Sequence, residues 1–295
     1  MALPGSGSYR EVMRRTVPPQ AYFIVSAVFH YLGPAFAVLL FARIDPLGVA
    51  WLRIAAAGLI FSIWRRPWRA WRLLSWGTRR LVIAWGAVLA VMNCCFYLAI
   101  DRIPLGTVAA AEFAPVIVLA AIAVRSLRNL LALVLAVGGV YVLTDIRLSH
   151  DWIGMVFTAL NAVLFAAYVV LGHRMSRVEG LRRIDGLALA MGVASVLALP
   201  VGLRAAVPAF TDPGLLAAAV GVGVCSSVIP YVADQLAMAR LKRSTFALML
   251  ALLPATATVI GAVVLRQFPR PAELAAVAII VVAVGLHRER EPRSP

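Results

Sequence analysis

Four ionisable side chains sit where this chain is otherwise apolar: His30, Arg53, Glu112 and Asp234. A charge at the depth of a bilayer costs several kcal/mol, so each such residue is a candidate for function. Glu112 lies about seven residues into an apolar run, so about 10 Å deep at ~1.5 Å per residue. Pro115 follows it and frees a backbone carbonyl one turn earlier. A carboxylate there can hold a proton or an ammonium group, and Asp234 offers the same chemistry in the second half of the chain. Arg53 can bind a cargo carboxylate, pair with Glu112 or Asp234, or extend its head to the outer surface. His30, four residues before Pro34, can relay a proton or touch cargo.

Neutral polar residues accompany them at helical spacing. Asn93 and Tyr97 are four apart, Tyr231 and Asp234 three apart, and Asn161 and Tyr168 seven apart, so each pair shares a helix face. The expected role of Asn93, Tyr97, Asn161, Tyr168 and Tyr231 is to line a polar cavity. Interhelical hydrogen bonding is the plainer alternative, at about 0.6 kcal/mol each. Trp64, Trp68, Trp71, Trp76 and Trp85 cluster around one basic loop and read as an aromatic belt at the membrane interface.

Of the 295 residues, 62% are hydrophobic and 14% charged, too few charges for a soluble domain, where roughly 25% is usual. The apolar residues form ten blocks, at about 21–42, 47–64, 81–100, 105–124, 129–144, 152–171, 185–203, 214–236, 245–265 and 271–287. Each is near the ~20 residues that cross the hydrocarbon core, the fifth being shortest. Only helices satisfy their own backbone hydrogen bonds there, so an all-α integral membrane protein is expected. The polar tails 1–20 and 288–295 fall outside the blocks, and no cleavable signal peptide is recognisable.

With the N-terminus inside, 21 of the 28 lysines and arginines fall in inner segments and 6 in outer loops. This positive-inside bias places both termini in the cytoplasm. The net charge of +15 is then explained by loops facing anionic lipid, not by nucleic acid.

The chain also repeats itself. Leu98-Ala99-Ile100-Asp101-Arg102 with Thr107-Val108-Ala109 is echoed by Leu236-Ala237-Met238-Ala239-Arg240 with Thr245-Phe246-Ala247, an offset of 138 residues. Five spans per half is an odd number, so the second half enters the bilayer inverted. The expected architecture is two inverted five-helix repeats, 21–146 and 147–287, with a site near the midplane between them. That offset maps Asn93 onto Tyr231, so corresponding positions of both halves are polar.

Other classes find no support. There is no zinc-binding His-Glu-x-x-His, no Gly-x-Ser-x-Gly elbow and no phosphate-binding Gly-x-x-x-x-Gly-Lys-Ser/Thr. Cys94, Cys95 and Cys225 lie in apolar blocks without ligand spacing and read as packing residues. No enzyme activity, cofactor or metal is expected. The expected partners are a small-molecule substrate, membrane lipid and a second copy of the chain.

The run Asn93-Cys94-Cys95-Phe96-Tyr97-Leu98-Ala99-Ile100-Asp101-Arg102-Ile103-Pro104-Leu105-Gly106-Thr107 resembles the third-to-fourth span signature of the drug/metabolite transporter superfamily. More narrowly, it is similar to the threonine/homoserine exporter branch of EamA-type proteins. Glu112 with Pro115, Ser226-Ser227-Val228-Ile229-Pro230-Tyr231-Val232-Ala233-Asp234, Arg66-Pro67-Trp68-Arg69 and Asp151-Trp152-Ile153-Gly154 also fit. The resemblance implies ten helices, export of small amino acids or related metabolites, proton coupling, and a bacterial plasma membrane. A drug or lipid-like exporter of the same architecture and a non-transporting scaffold or sensor are the alternatives. In the ninth span, Leu253-Pro254 and Arg266-Gln267 stand where the family carries a glutamate before its proline and a terminal Gly-Glu pair.

Overall fold

A computed structural model of the chain describes residues 18–112, 130–131, 134–135, 137–139, 151–238, 240–241, 249–250 and 252–286, and contains no strand among them. The helices begin where the sequence supplies caps. Helix α1 (Pro19–Leu40) starts on a proline, whose missing N–H costs nothing in a first turn. Helix α2 (Pro46–Arg65) also starts on proline, and the Asp45 side chain accepts the Leu47 N–H. It ends at Arg66, in the left-handed region at φ 50°. A short α3 (Trp68–Leu73) leads to α4 (Trp76–Ile100), capped by Ser75. Residues 105–112 are helical.

In the second half come α5 (Trp152–Met175), capped by Asp151, α6 (Arg183–Ala205) and the short α7 (Val207–Thr211). Helix α8 (Pro213–Gly223) is capped by Asp212 and runs through a π-helical turn, Val224–Val228, into α9 (Ile229–Met238). Helices α10 (Leu252–Leu265) and α11 (Pro271–Leu286) follow.

Six of these stretches are long and apolar enough to cross a membrane: Gln20–Leu40, Pro46–Arg65, Trp76–Ile100, Trp152–Met175, Ile184–Ala205 and Pro213–Asp234. They match six of the ten expected blocks. The tenth block is helical as α11 and the ninth in part as α10. Most of the fourth and fifth blocks, and nearly all of both tails, lie outside the described residues.

Helix α2 packs along α6, α4 against both α5 and α6, α1 against α9 and α10, and α8 against α2. Small residues permit these approaches. A Cβ on Gly48 would stand 2.6 Å from the Ala205 carbonyl, so α2 and α6 touch backbone to backbone there. The outward faces are apolar, with Ile24, Leu39, Leu59, Val163, Val196 and Val263 all exposed.

Candidate functional site

Proline 230 shapes the centre of the molecule. It has no N–H, so it cannot donate the α-type bond to the Ser226 carbonyl four residues earlier. The chain runs π-helical through Val224–Val228, a single-turn irregularity of the kind found at functional sites. The Ser226 carbonyl instead accepts a bond from Arg53 NH2 at 3.2 Å.

Arg53 is buried, at 7% exposure. Its Nε donates to Ser227 Oγ at 3.1 Å, and NH1 donates to Asn93 Oδ1 at 2.6 Å. The guanidinium carbon sits 5.6 Å from the centre of the Tyr97 ring, within cation–π range. The Asn93 amide is oriented by its own bond to the Leu89 carbonyl at 2.8 Å. Thus Arg53 ties α2 to α4 and to the π-turn between α8 and α9. It does not reach the outer surface, and neither Glu112 nor Asp234 is its ion-pair partner among the described residues.

Around this hub lie the other expected residues. Glu112 is buried, and the Asn161 amide lies beside its carboxyl. Glu112, His30, Tyr168 and Tyr231 all lie in the neighbourhood of Arg53. The side chains of Tyr168 and Tyr231 meet, with Asp234 close to both. Ser26 lies beside Asp234 and donates to the Pro230 carbonyl at 3.3 Å. His30 makes an edge contact with Tyr31 at 5.2 Å. All nine expected residues therefore fall in one connected polar region crossed by α1, α2, α4, residues 105–112, α5 and α9.

Several buried polar atoms in that region make no well-formed hydrogen bond among the described residues: the Tyr31 hydroxyl, Glu112 Oε2 and the Asn161 amide, which face each other, and the Tyr97 hydroxyl, which lies near Arg53 and Ser226. Buried polar groups are normally satisfied, so a cluster of unmet ones suits a group or water brought in from outside. A polar cargo with both donors and acceptors would meet them.

Ser26 and Tyr31 of the region were not singled out by sequence reasoning, and Ser226 and Ser227 were named only within the eighth-span motif, with no role of their own. Serine and tyrosine cost little in an apolar helix and so raise no alarm; Pro230 was the available signal. Trp85 corrects an expectation. It is not in the interfacial belt but buried, stacked on Tyr168 at 5.6 Å, with its indole N–H donating to the Tyr168 carbonyl. Trp64, Trp68 and Trp76 are exposed, as a belt requires. The departures in the ninth span have neutral roles. Leu253 is buried, and the Gln267 amide oxygen accepts the Leu105 N–H at 3.2 Å, capping residues 105–112.

Among the described residues three ion pairs tie distant segments: Arg43–Asp212 at 3.1 Å, Arg102–Asp151 at 3.3 Å and the largely covered Arg65–Asp185 at 2.8 Å. The Asp212 carboxyl is held below its ordinary range by the N–H groups of Leu215 and Gly214. Asp151 is held down in the same way, foremost by the Gly154 N–H.

Residues 152–287 match the EamA-like transporter family. The chain is 28% identical over 254 residues to the threonine/homoserine exporter RhtA of Escherichia coli strain K12, covering 85% of this chain and 84% of that protein. It is 29% identical over 267 residues to the threonine/homoserine exporter RhtA of Salmonella typhimurium strain LT2, covering 88% and 89%. One crystal structure superposes with a TM-score of 0.62 at 17% identity, covering 90% of this chain and 96% of the other, which shows a shared fold. The second half of the chain thus matches the EamA-like transporter family, and most of its length is similar in sequence to the threonine/homoserine exporters.

Proposed function

We propose that the chain is a secondary exporter of small amino acids, threonine- or homoserine-like, or of related metabolites, in a bacterial inner membrane. It works by alternating access between two inverted five-helix halves and is driven by protons. The observation that carries this reading is the buried region around Arg53 and Glu112, with opposite charges, unmet polar atoms and walls from both halves. A zwitterion fits it: Arg53 at the carboxylate end, Glu112 or Asp234 at the ammonium end, with His30 as relay or further contact. Asn93, Tyr97, Asn161, Tyr168 and Tyr231 line the path.

The packing supports the paired halves. Exchanging α1 with α5, α2 with α6 and α4 with α8–α9 carries the α4–α5 contact onto α1–α9, and the α4–α6 contact onto α2–α8. It leaves α2–α6 in place. Inverted repeats give this exchange, and with it two conformations open to opposite sides. The ion pairs support the orientation. Arg43–Asp212 and Arg102–Asp151 join segments assigned outside, and Arg65–Asp185 joins segments assigned inside.

Counterflow of labelled amino acids in proteoliposomes tests the reading, run as a panel with and without a pH gradient. Threonine or homoserine should exchange, faster with the gradient. No exchange of any amino acid would end the proposal, and exchange of drug-like or lipid-like solutes alone would favour the other exporter class. Glu112→Gln should abolish pH-driven exchange; unchanged transport in that variant removes Glu112 from coupling.

A further inference from the structure

The groups that hold Arg53 are all neutral acceptors: the Asn93 carboxamide oxygen, the Ser227 hydroxyl oxygen, the Ser226 backbone carbonyl and the face of Tyr97. No carboxylate lies within ion-pair distance of the guanidinium among the described residues. A full positive charge is thus buried on dipoles and a ring quadrupole, as a desolvated monovalent cation is held when carbonyl oxygens replace its water. The set is built for the purpose. Asn93 is turned by its bond to the Leu89 carbonyl, and Ser226 spends its own hydroxyl on the Val222 carbonyl at 2.6 Å, leaving its main-chain oxygen to the cation. Pro230 is what denies that oxygen its α-helical partner.

We propose that Asn93, Ser226, Ser227 and Tyr97 form a monovalent-cation site in which Arg53 is the resident, covalently tethered cation. The tether explains why such a site needs no soluble ion. Sodium or potassium has no place in this site while the guanidinium is in it, so the site itself makes no demand for either during transport. Two of the five guanidinium N–H donors, one on each terminal nitrogen, are not used by Asn93, Ser226 or Ser227. They remain for an incoming anion, so the resident cation can hold the π-turn and face cargo at once.

The test empties the site and refills it. Thermal unfolding of the purified full chain is measured for the wild type and for Arg53→Ala, each with guanidinium chloride or urea at millimolar concentration. Urea has the same planar shape without the charge. Guanidinium at about ten times its dissociation constant should raise the unfolding midpoint of Arg53→Ala by about 3–6 °C. Urea should not, and the wild type should respond to neither. An Arg53→Ala protein indifferent to guanidinium, or equally raised by urea, overturns the proposal. Where Arg53→Ala does not survive purification, the wild type supplies a second test that rests on the exporter reading. Replacing all sodium and potassium by N-methylglucamine should leave counterflow within about twofold, and a tenfold loss overturns the tethered-cation role. Absence of counterflow in every buffer counts against the exporter reading alone; the cation site is then decided by the same guanidinium and urea measurement on Arg53→Gln, a second variant that removes the charge but keeps a polar side chain.

Discussion

Gly33→Ala is the most revealing single substitution. Gly33 lies in the middle of α1, where that helix meets the π-turn. A Cβ there would stand 2.7 Å from the Ser226 amide nitrogen and 2.8 Å from its Cα, against 3.4 Å for ordinary contact. These are backbone atoms, which cannot rotate away, and Ser226 Cβ is nearer still, so α1 and the π-turn must separate by about 0.7 Å or more. Overpacking of this kind costs about 1–3 kcal/mol. At roughly 2–4 °C per kcal/mol, the unfolding midpoint should fall by about 2–12 °C. The displacement also acts at a distance. The Arg53 bond to the Ser226 carbonyl is already 3.2 Å long, and a 0.7 Å retreat of its acceptor breaks it unless the guanidinium follows. Counterflow should therefore fall together with stability. Gly192→Ala and Gly221→Ala are the controls, because a Cβ at either meets nothing within 4 Å. Both are helical, so alanine should leave stability unchanged or raise it by up to about 1 kcal/mol. A Gly33→Ala protein as stable and active as the two controls would refute the close approach of α1 to the π-turn, and with it the geometry assigned to Arg53.

Two further outcomes are expected at the surface. Asp151 and Asp212 have folded-state carboxyls below their ordinary range, so each contributes stability that is present above the unfolded value of about 3.9 and is lost as pH falls through the folded one. Stability measured against pH should therefore drop below about pH 4, and an Asp151→Ala/Asp212→Ala protein should show a shallower drop; an identical slope contradicts the assignment. Arg65 and Asp185 are both largely covered at 2.8 Å. A double-mutant cycle should give a coupling of about 0.2–1 kcal/mol that shrinks in 1 M salt, and zero coupling at low salt would show that the pair is not formed.

The long helices were legible because hydrophobic blocks near bilayer length leave few alternatives. The expected 47–64 is Pro46–Arg65, and the expected 185–203 is Arg183–Ala205. The start of α4 was missed by five residues: Trp76, Gly77, Thr78, Arg79 and Arg80 form an amphipathic first turn set by the Ser75 cap, not by apolarity. The break in the eighth span was not legible as a π-turn, since the proline alone does not say whether a helix kinks, ends or widens. The site residues stood out for one physical reason: Arg53, Glu112, Asp234 and His30 are expensive where they lie. What surrounds them was hidden. The spacing of Asn93 did not disclose that its amide oxygen accepts from Arg53, and Ser226 contributes a main-chain oxygen, which no side-chain inventory contains. Trp85 looked interfacial because it is close in sequence to four tryptophans that border a basic loop, whereas position along the helix placed it inside.

The account depends on two halves of opposite orientation sharing one buried polar region. Labelling single cysteines at 102 and 240, in a chain with Cys94, Cys95 and Cys225 replaced, tests this with a membrane-impermeant thiol reagent on intact cells. Position 102 should label from outside, and position 240 only after the membrane is opened. Both positions labelling from the same side would contradict the inverted arrangement.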